Sequence, residues 1–250
     1  MASASDGTAF RVILLNETKS TNDDCLRMAD ERAPDGTVVR ALHQTAGRGR
    51  GGRTWHSQAD ASLTFSVLLR PTAREFAFLP RFPLLGCLAL ARTLEGNFKV
   101  QSSIKWPNDL LIAGKKVCGV LTETLWQNQI PNAVVIGMGV NLTQDALPPE
   151  PNLIYPAGSL KGQADIRVSP QELLELLLTE LQRVRAELSS NGFIEEINAR
   201  LAFRGEWVTL RKNEDAPVKA RPLWIEQDGS LRVEGENGKI ERLYSAEISG

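Results

Sequence analysis

The chain has 250 residues, 42% of them hydrophobic, enough to bury a full core in one large domain or in one plus a small appendage. Its 29 basic and 30 acidic residues leave a net charge of -1, which excludes a surface built as a whole for a polyanion, so any phosphate must be bound locally. Cys25, Cys87 and Cys118 lie far apart with no CxxC pair, which argues against a disulfide framework or a zinc knuckle and for a reducing, cytoplasmic setting.

Residues 1–8 carry neither the basic segment nor the apolar run of a secretory signal and are expected to be a disordered end. No run of about 18 apolar residues suggests a bilayer span, so no membrane partner is expected. "FRVILLN" predicts a strand, and "STNDDCLRMADER" opens a helix with a turn at Ser20–Asn22. "DGTVVRALHQ" resumes a strand. The stretch "QTAGRGRGGRTW" then interrupts, with three arginines and four glycines in twelve residues, before "ASLTFSVLLRP" forms another strand ending on Pro71. From Phe78 to Leu94 the apolar residues predict a buried helix, regular only from about Leu84 because of Pro80 and Pro83. "DLLI" and "VCGVLTETLW" flank "AGKK" as a hairpin, and the nearly continuous apolar run of "NAVVIGMGVNL" predicts a central strand.

Residues 142–167 are irregular and predict a wrapped loop. "SPQELLELLLTELQRVRAEL" follows with Ser169 as N-cap, Pro170 at the first helical position and Glu172 placed for a capping box. Leu173, Leu174, Leu177, Leu181, Val184 and Leu188 form its apolar stripe, and "FIEEINARLA" predicts a second, short helix. Past Phe203, "EWVTLRK", "VKARPLWIEQ", "SLRVEG" and "KIERLYSAEIS" read as short strands of a small barrel, turning at "QDG" and "ENG". The expected division is therefore 9–203 and 204–250.

The arginine and glycine stretch has three readings. It is a solvated hairpin loop, an RNA-coating segment, or a cradle for one phosphorylated ligand. Glycines 47, 49, 51 and 52 free the backbone to present N–H groups to an anion, and Arg48, Arg50 and Arg53 add bidentate charge. Trp55 offers an aromatic wall for a base. RNA-binding segments of this composition are long and repeated, whereas this one occurs once between two strands.

Four further motifs accompany it in order: "STN" at 20–22, "KWPNDL" at 105–110, "KKVCGVLTE" at 115–123 and "VIGMGVNL" at 135–142. Together these resemble the biotin protein ligases over nearly the whole chain. The resemblance implies an α/β catalytic domain, a mixed sheet with helices, followed by a small SH3-like β-barrel. It implies an enzyme that activates biotin with ATP and Mg²⁺ to biotinyl-5'-AMP and passes biotin to a lysine of a biotin carboxyl carrier protein. On the same ground Lys116 is the catalytic lysine, acting with Arg48 and Arg50. The biotin site takes Ser20, Thr21, Asn22, Gln44, Gly47, Arg48, Gly49, Arg50, Lys116, Gly119 and Gly139. The ATP site takes Arg48, Arg50, Arg53, Trp55, Lys105, Asn108, Lys116 and Asn141, and no residue is assigned to the metal. Asp109 is expected to brace the "KWPNDL" turn, and His43, His56 and Cys118 to stay out of the chemistry.

Two departures qualify the resemblance. Few residues precede the first strand, so a DNA-binding repressor function is not expected, and Ala246 stands in "SAEIS" where the family's last strand often has glycine. A homodimer through a sheet edge is compatible with the sequence. The alternatives are a lipoate or octanoyl ligase of the same fold, and a non-catalytic RNA-binding protein using the arginine and glycine loop.

Overall fold

The computed structural model describes residues 10–148, 155–212 and 216–249; the expected disordered end, residues 1–8, lies outside them, as does part of the wrapped loop. Strand β1 (Arg11–Thr18), helix α1 (Thr21–Asp30) and strand β2 (Thr37–Gln44) form a crossover that makes β1 and β2 parallel. Strands β3 (Ser62–Leu69), β4 (Ser103–Lys105), β5 (Asp109–Ile112), β6 (Lys115–Gln127) and β7 (Ile130–Asn141) complete a seven-stranded mixed sheet in the order β1-β2-β3-β7-β6-β5-β4. Strand β7 pairs on both sides, with β3 and β6, as its apolar run predicts.

The two faces of this sheet are covered unequally. Helix α2 (Phe82–Phe98) and helix α4 (Pro170–Glu187) pack on one face and build the large core with Leu63, Phe65, Val67, Ile136 and Val140. The six stripe residues of α4 are all buried there, and the Ser169 hydroxyl caps the helix by accepting from Glu172 N. Pro83 does not hold the helix off until Leu84: α2 starts at Phe82, because proline lacks only an N–H that the first turn leaves unbonded anyway. Pro80 falls in the preceding 3₁₀ turn, Phe76–Arg81. The combined segment Phe76–Phe98 is long and apolar enough by composition to cross a bilayer, but 67% of its apolar 18-residue window is buried inside the fold, as in a core helix.

Among the described residues the one helix on the opposite face is α1, whose Cys25 and Ala29 pack on Val39, Leu68, Ala133 and Val135. A ten-residue helix is about 15 Å long, whereas the twelve residues of β7 run roughly 40 Å. About half of that face is therefore left without a helix.

The short helices α3 (Leu160–Ala164) and α5 (Asn191–Ala199) lead to the tail. Strands β8 (Val208–Arg211), β9 (Val218–Ile225), β10 (Leu231–Gly235), β11 (Ile240–Leu243) and β12 (Glu247–Ser249) form a five-stranded antiparallel sheet, order β11-β10-β9-β8-β12, which fits the SH3-like expectation. The predicted last strand is two strands, broken at Tyr244–Ala246. Arg81, almost fully buried, ties the tail to the large unit by donating to the carbonyls of Gln227 and Leu188, and Trp106 Nε1 donates to Gly229 O.

Candidate functional site

The half of the sheet without a helix carries one row of residues in register, small at its centre. Lys105 pairs with Asp109, Asp109 with Gly119, Gly119 with Gly139, Gly139 with Thr64 and Thr64 with Ala41, giving one row across six strands. Above it opens a cleft of about 390 Å³. Every residue assigned to ligand by the resemblance lines this cleft except Gly47. Gly47 instead shapes the neck of the loop: its carbonyl accepts from Trp55 N, and a Cβ there would stand 2.6 Å from Trp55 O.

Strict alternation along β6 would put Lys116 on the face opposite Gly119. A β-bulge reverses this. Leu110 pairs with Cys118 while Leu111 pairs with Lys116, so Val117 and Cys118 both turn into the large core and Lys116 joins the cleft face. The turn before it, Ala113–Gly114, has positive φ at both residues (48° and 72°), the geometry of a two-residue hairpin. On its other side Lys116 N donates to Pro156 O and its carbonyl accepts from Gly158 N, so the backbone is held from both flanks.

Asp109 is the residue the sequence undervalued. Its carboxylate receives Lys116 Nζ at 2.7 Å and Lys105 Nζ at 3.1 Å, and it is buried. Burial pushes its carboxyl up, but the two ammonium groups outweigh that and hold it below the usual carboxylate range. Lys105 also lies 4.8 Å from the Tyr155 ring centre, and the Tyr155 hydroxyl donates to Gly114 O.

The other end of the cleft is a chain of short hydrogen bonds. Gln44 Oε1 accepts from Thr21 N and Oγ1; Thr21 Oγ1 lies 2.7 Å from Ser66 Oγ; Ser66 donates to Asn22 Oδ1; and Asn22 Nδ2 donates to Glu123 at 2.6 Å. Asn22 rests on Gly137, where a Cβ would stand 2.1 Å from its Oδ1. Ser20 occupies the N-cap position of α1 but makes no capping bond with its side chain, so its buried hydroxyl is left for the cleft.

The arginine loop is an ordered structure with carboxylate and hydroxyl partners. Arg48 makes a bidentate contact with Asp23 at 2.5 and 2.7 Å and reaches Glu123 at 3.5 Å. Arg50 donates to Asn108 Oδ1 and to Ser245 Oγ and lies 3.8 Å from Glu247; Arg53 donates to Glu247 at 2.6 Å. Burial draws the Arg50 guanidinium down while Glu247 draws it up, and the net direction is down. Gly51 and Gly52 take φ of 63° and 75°, where glycine costs nothing; Gly49 does not need its freedom, at φ -114°.

Four assigned residues have company the sequence does not foretell. Gly119 and Gly139, expected to leave room for ligand, are covered by Trp55: its Cε2 stands 2.2 Å from the point a Cβ of Gly139 would occupy. Asn108 Nδ2 donates to Val120 O, and Asn141 Nδ2 donates to Gly158 O. Thr64, Ser66, Asp109, Glu123, Tyr155 and Glu247 belong to the cleft or its walls and were not assigned from sequence. Only the polar alternation of "SLTFS" inside an apolar strand pointed to the first two. All three thiols are buried and pushed up by burial, so none is a nucleophile.

This chain belongs to the biotin/lipoate A/B protein ligase family, whose model matches residues 14–141. Within that family it is similar to the biotin–[acetyl-CoA-carboxylase] ligase of Paracoccus denitrificans, 36% identical over 91% of this chain and 92% of that protein. It is 32% identical to the bifunctional ligase/repressor BirA of Bacillus subtilis, over 92% of this chain and 70% of that one. Among solved structures, biotin protein ligase from Aquifex aeolicus in complex with biotin and ATP superposes with a TM-score of 0.78 at 30% identity, over 95% of this chain and 97% of that one.

Proposed function

We propose that the chain is a biotin protein ligase, an ATP-dependent enzyme that joins biotin to a lysine of a biotin carboxyl carrier domain. The observation that carries the reading is the placement of Lys116. The bulge turns it into the cleft, and Asp109 fixes its ammonium group above Gly119, between the hydrogen-bonding end and the arginine loop.

Biotin's carboxylate oxygen attacks the α-phosphorus of ATP, the bond to the β-phosphate bridge breaks, and biotinyl-5'-AMP and pyrophosphate form. Negative charge gathers where the two reactants meet. Lys116 stabilises it with an ammonium group whose position is set before the reaction begins. Ser20, Thr21 and Gln44 form the end that accepts the ureido ring. Arg48, Arg50 and Arg53 cover the nucleotide and its phosphates, and Trp55, packed against Gly139, offers its ring to the base. In the second step the uncharged lysine amine of the carrier attacks the acyl carbon and AMP departs, so no enzyme nucleophile is needed. The two carboxylates lining the cleft, Asp109 and Glu247, are both engaged by cations, so the residues present fit a Mg²⁺ ion that is carried on the ATP phosphates.

The RNA-binding alternative is disfavoured because the loop lines a cleft of about 390 Å³, room for one small ligand, on a chain whose net charge is -1. In this reading the two units divide near residue 204, and the buried free thiols accord with a reducing cytoplasm. A homodimer through a sheet edge is supported by β5 covering β6 only from Lys115 to Gly119 and Asn108 bonding Val120, which leaves that edge without a strand partner beyond Val120 among the described residues. Incubation with ATP, Mg²⁺, carrier domain and labelled biotin or lipoate tests the function. Label from biotin should become covalent on lysine; transfer of lipoate alone, or of neither, overturns the reading.

A further inference from the structure

Among the described residues the cleft has three buried polar atoms without a hydrogen-bond partner, of which Asp109 Oδ1 is in ion-pair contact with Lys116; the other two, Thr64 Oγ1 and Trp55 Nε1, lie at one place on its floor. Thr64 is the ladder partner of Gly139, and Trp55 lies on Gly139 with Nε1 2.6 Å from the Cβ point. The six-membered ring of the indole reaches toward Gly119, where its Cζ3 approaches the corresponding point at 3.3 Å, while the Nε1 edge stays at Gly139. Thr64's other ladder partner is Ala41, which has no acceptor to offer. Two residues along the same strand and on the same face, Ser66 is fully bonded to Thr21 and Asn22. A buried hydroxyl left unpaired keeps its full desolvation penalty, and valine would fill the same volume on a strand without it. The site is therefore short of an acceptor, and a ligand would bring one.

The row across the sheet says which acceptor. Lys116 Nζ stands 3.1 Å from the Cβ point of Gly119, two strands from Thr64, a span of roughly 10 Å. An extended valeryl chain with its carboxylate at Lys116 crosses the outer face of the indole and sets the bicyclic ring over Thr64. The ureido group then faces the Thr21 and Gln44 end. The ring sulfur, bonded to the carbon that carries the chain, is the remaining acceptor on the near side. Resting on the biotin ligase reading, we propose that Thr64 is a specificity-determining residue whose hydroxyl donates to the thioether sulfur of biotin at the N–H edge of Trp55.

Calorimetric titration of the parent, T64V and T64S with biotin and with desthiobiotin, which has the ureido group and acid but no sulfur, tests this. The parent should prefer biotin; T64V should shrink that preference about three- to tenfold, while T64S retains it. T64V should unfold at the same or a higher temperature than the parent, which separates loss of the contact from loss of fold. An unchanged preference in T64V, or equal weakening toward both ligands, overturns the sulfur contact and leaves the ligase reading standing. If the parent binds neither ligand, both fall.

Discussion

Lys116 and Asp109 form a unit in which each side chain has a distinct consequence. Replacing Lys116 with Ala should lower biotinyl-adenylate formation by about 10²-fold or more, measured as pyrophosphate release, because a fixed cation at the developing charge is lost. An unchanged rate would remove Lys116 from the chemistry. Asp109→Asn acts differently. It strips the shared counter-charge from two lysines, one of them buried, and should destabilise the protein by about 3–5 kcal/mol near neutral pH. The folded carboxyl titrates below its unfolded value of about 3.9. Its contribution is therefore complete above roughly pH 4 and disappears as pH falls through the depressed folded value. Urea unfolding of parent and Asp109→Asn between neutral and strongly acidic pH should show the parent losing this increment and the variant having none to lose. Parallel curves would mean that the carboxylate is not held by the two lysines.

The loop from Gly47 to Trp55 is an element with two anchorages. At one end Arg48 is clamped to α1 through Asp23; at the other, Trp55 lies on bare backbone that only glycine provides. A methyl group at residue 139 has no space, since the indole already stands 2.2 Å from where it would be. Gly139→Ala should therefore expel Trp55, expose the loop to limited proteolysis and weaken nucleotide binding, read by titration with a non-hydrolysable ATP analogue. Unaltered cleavage and affinity would show that the packing of Trp55 does not matter to the loop. Arg50 lies farther along, bonded to Asn108 and Ser245. Arg50→Gly opens the cover without touching Lys116 and should let reactive adenylate escape, seen as biotin label on bystander proteins. Equal retention by variant and parent would refute the cover.

At the scale of the whole molecule, the tail is fastened to the large unit and in turn holds part of the site. Arg81 and Trp106 fix the segment around Gln227 and Gly229, while Ser245 and Glu247 hold the arginine loop from above. Tail position and loop position are thus linked through a partly exposed ion pair, whose worth is modest. Glu247→Gln should raise the KM for ATP severalfold with little change in thermal stability. A drop in stability with unchanged KM would make Glu247 a structural residue only.

The sequence by itself determined the long elements and their order, because helical and strand periodicities, caps and turn residues are local properties that survive in a single line of letters. It missed the short β4 and the helix α3 inside the expected wrapped loop, and merged β11 with β12, because so few residues carry no period. It also picked out residues of which all but Gly47 line the cleft, since the motifs carry them at fixed places along the chain, but it left Thr64, Asp109, Tyr155 and Glu247 unassigned. Tertiary structure alone decided which face Lys116 occupies, because a bulge is a mismatch between two strands and neither strand shows it separately. It decided equally that Lys105, Asp109, Gly119, Gly139 and Thr64 share one row, and that Glu247 meets Arg53 across 194 residues. Register and long-range ion pairs arise from how separate segments are brought together, and burial of the whole core, not local preference, selects that arrangement.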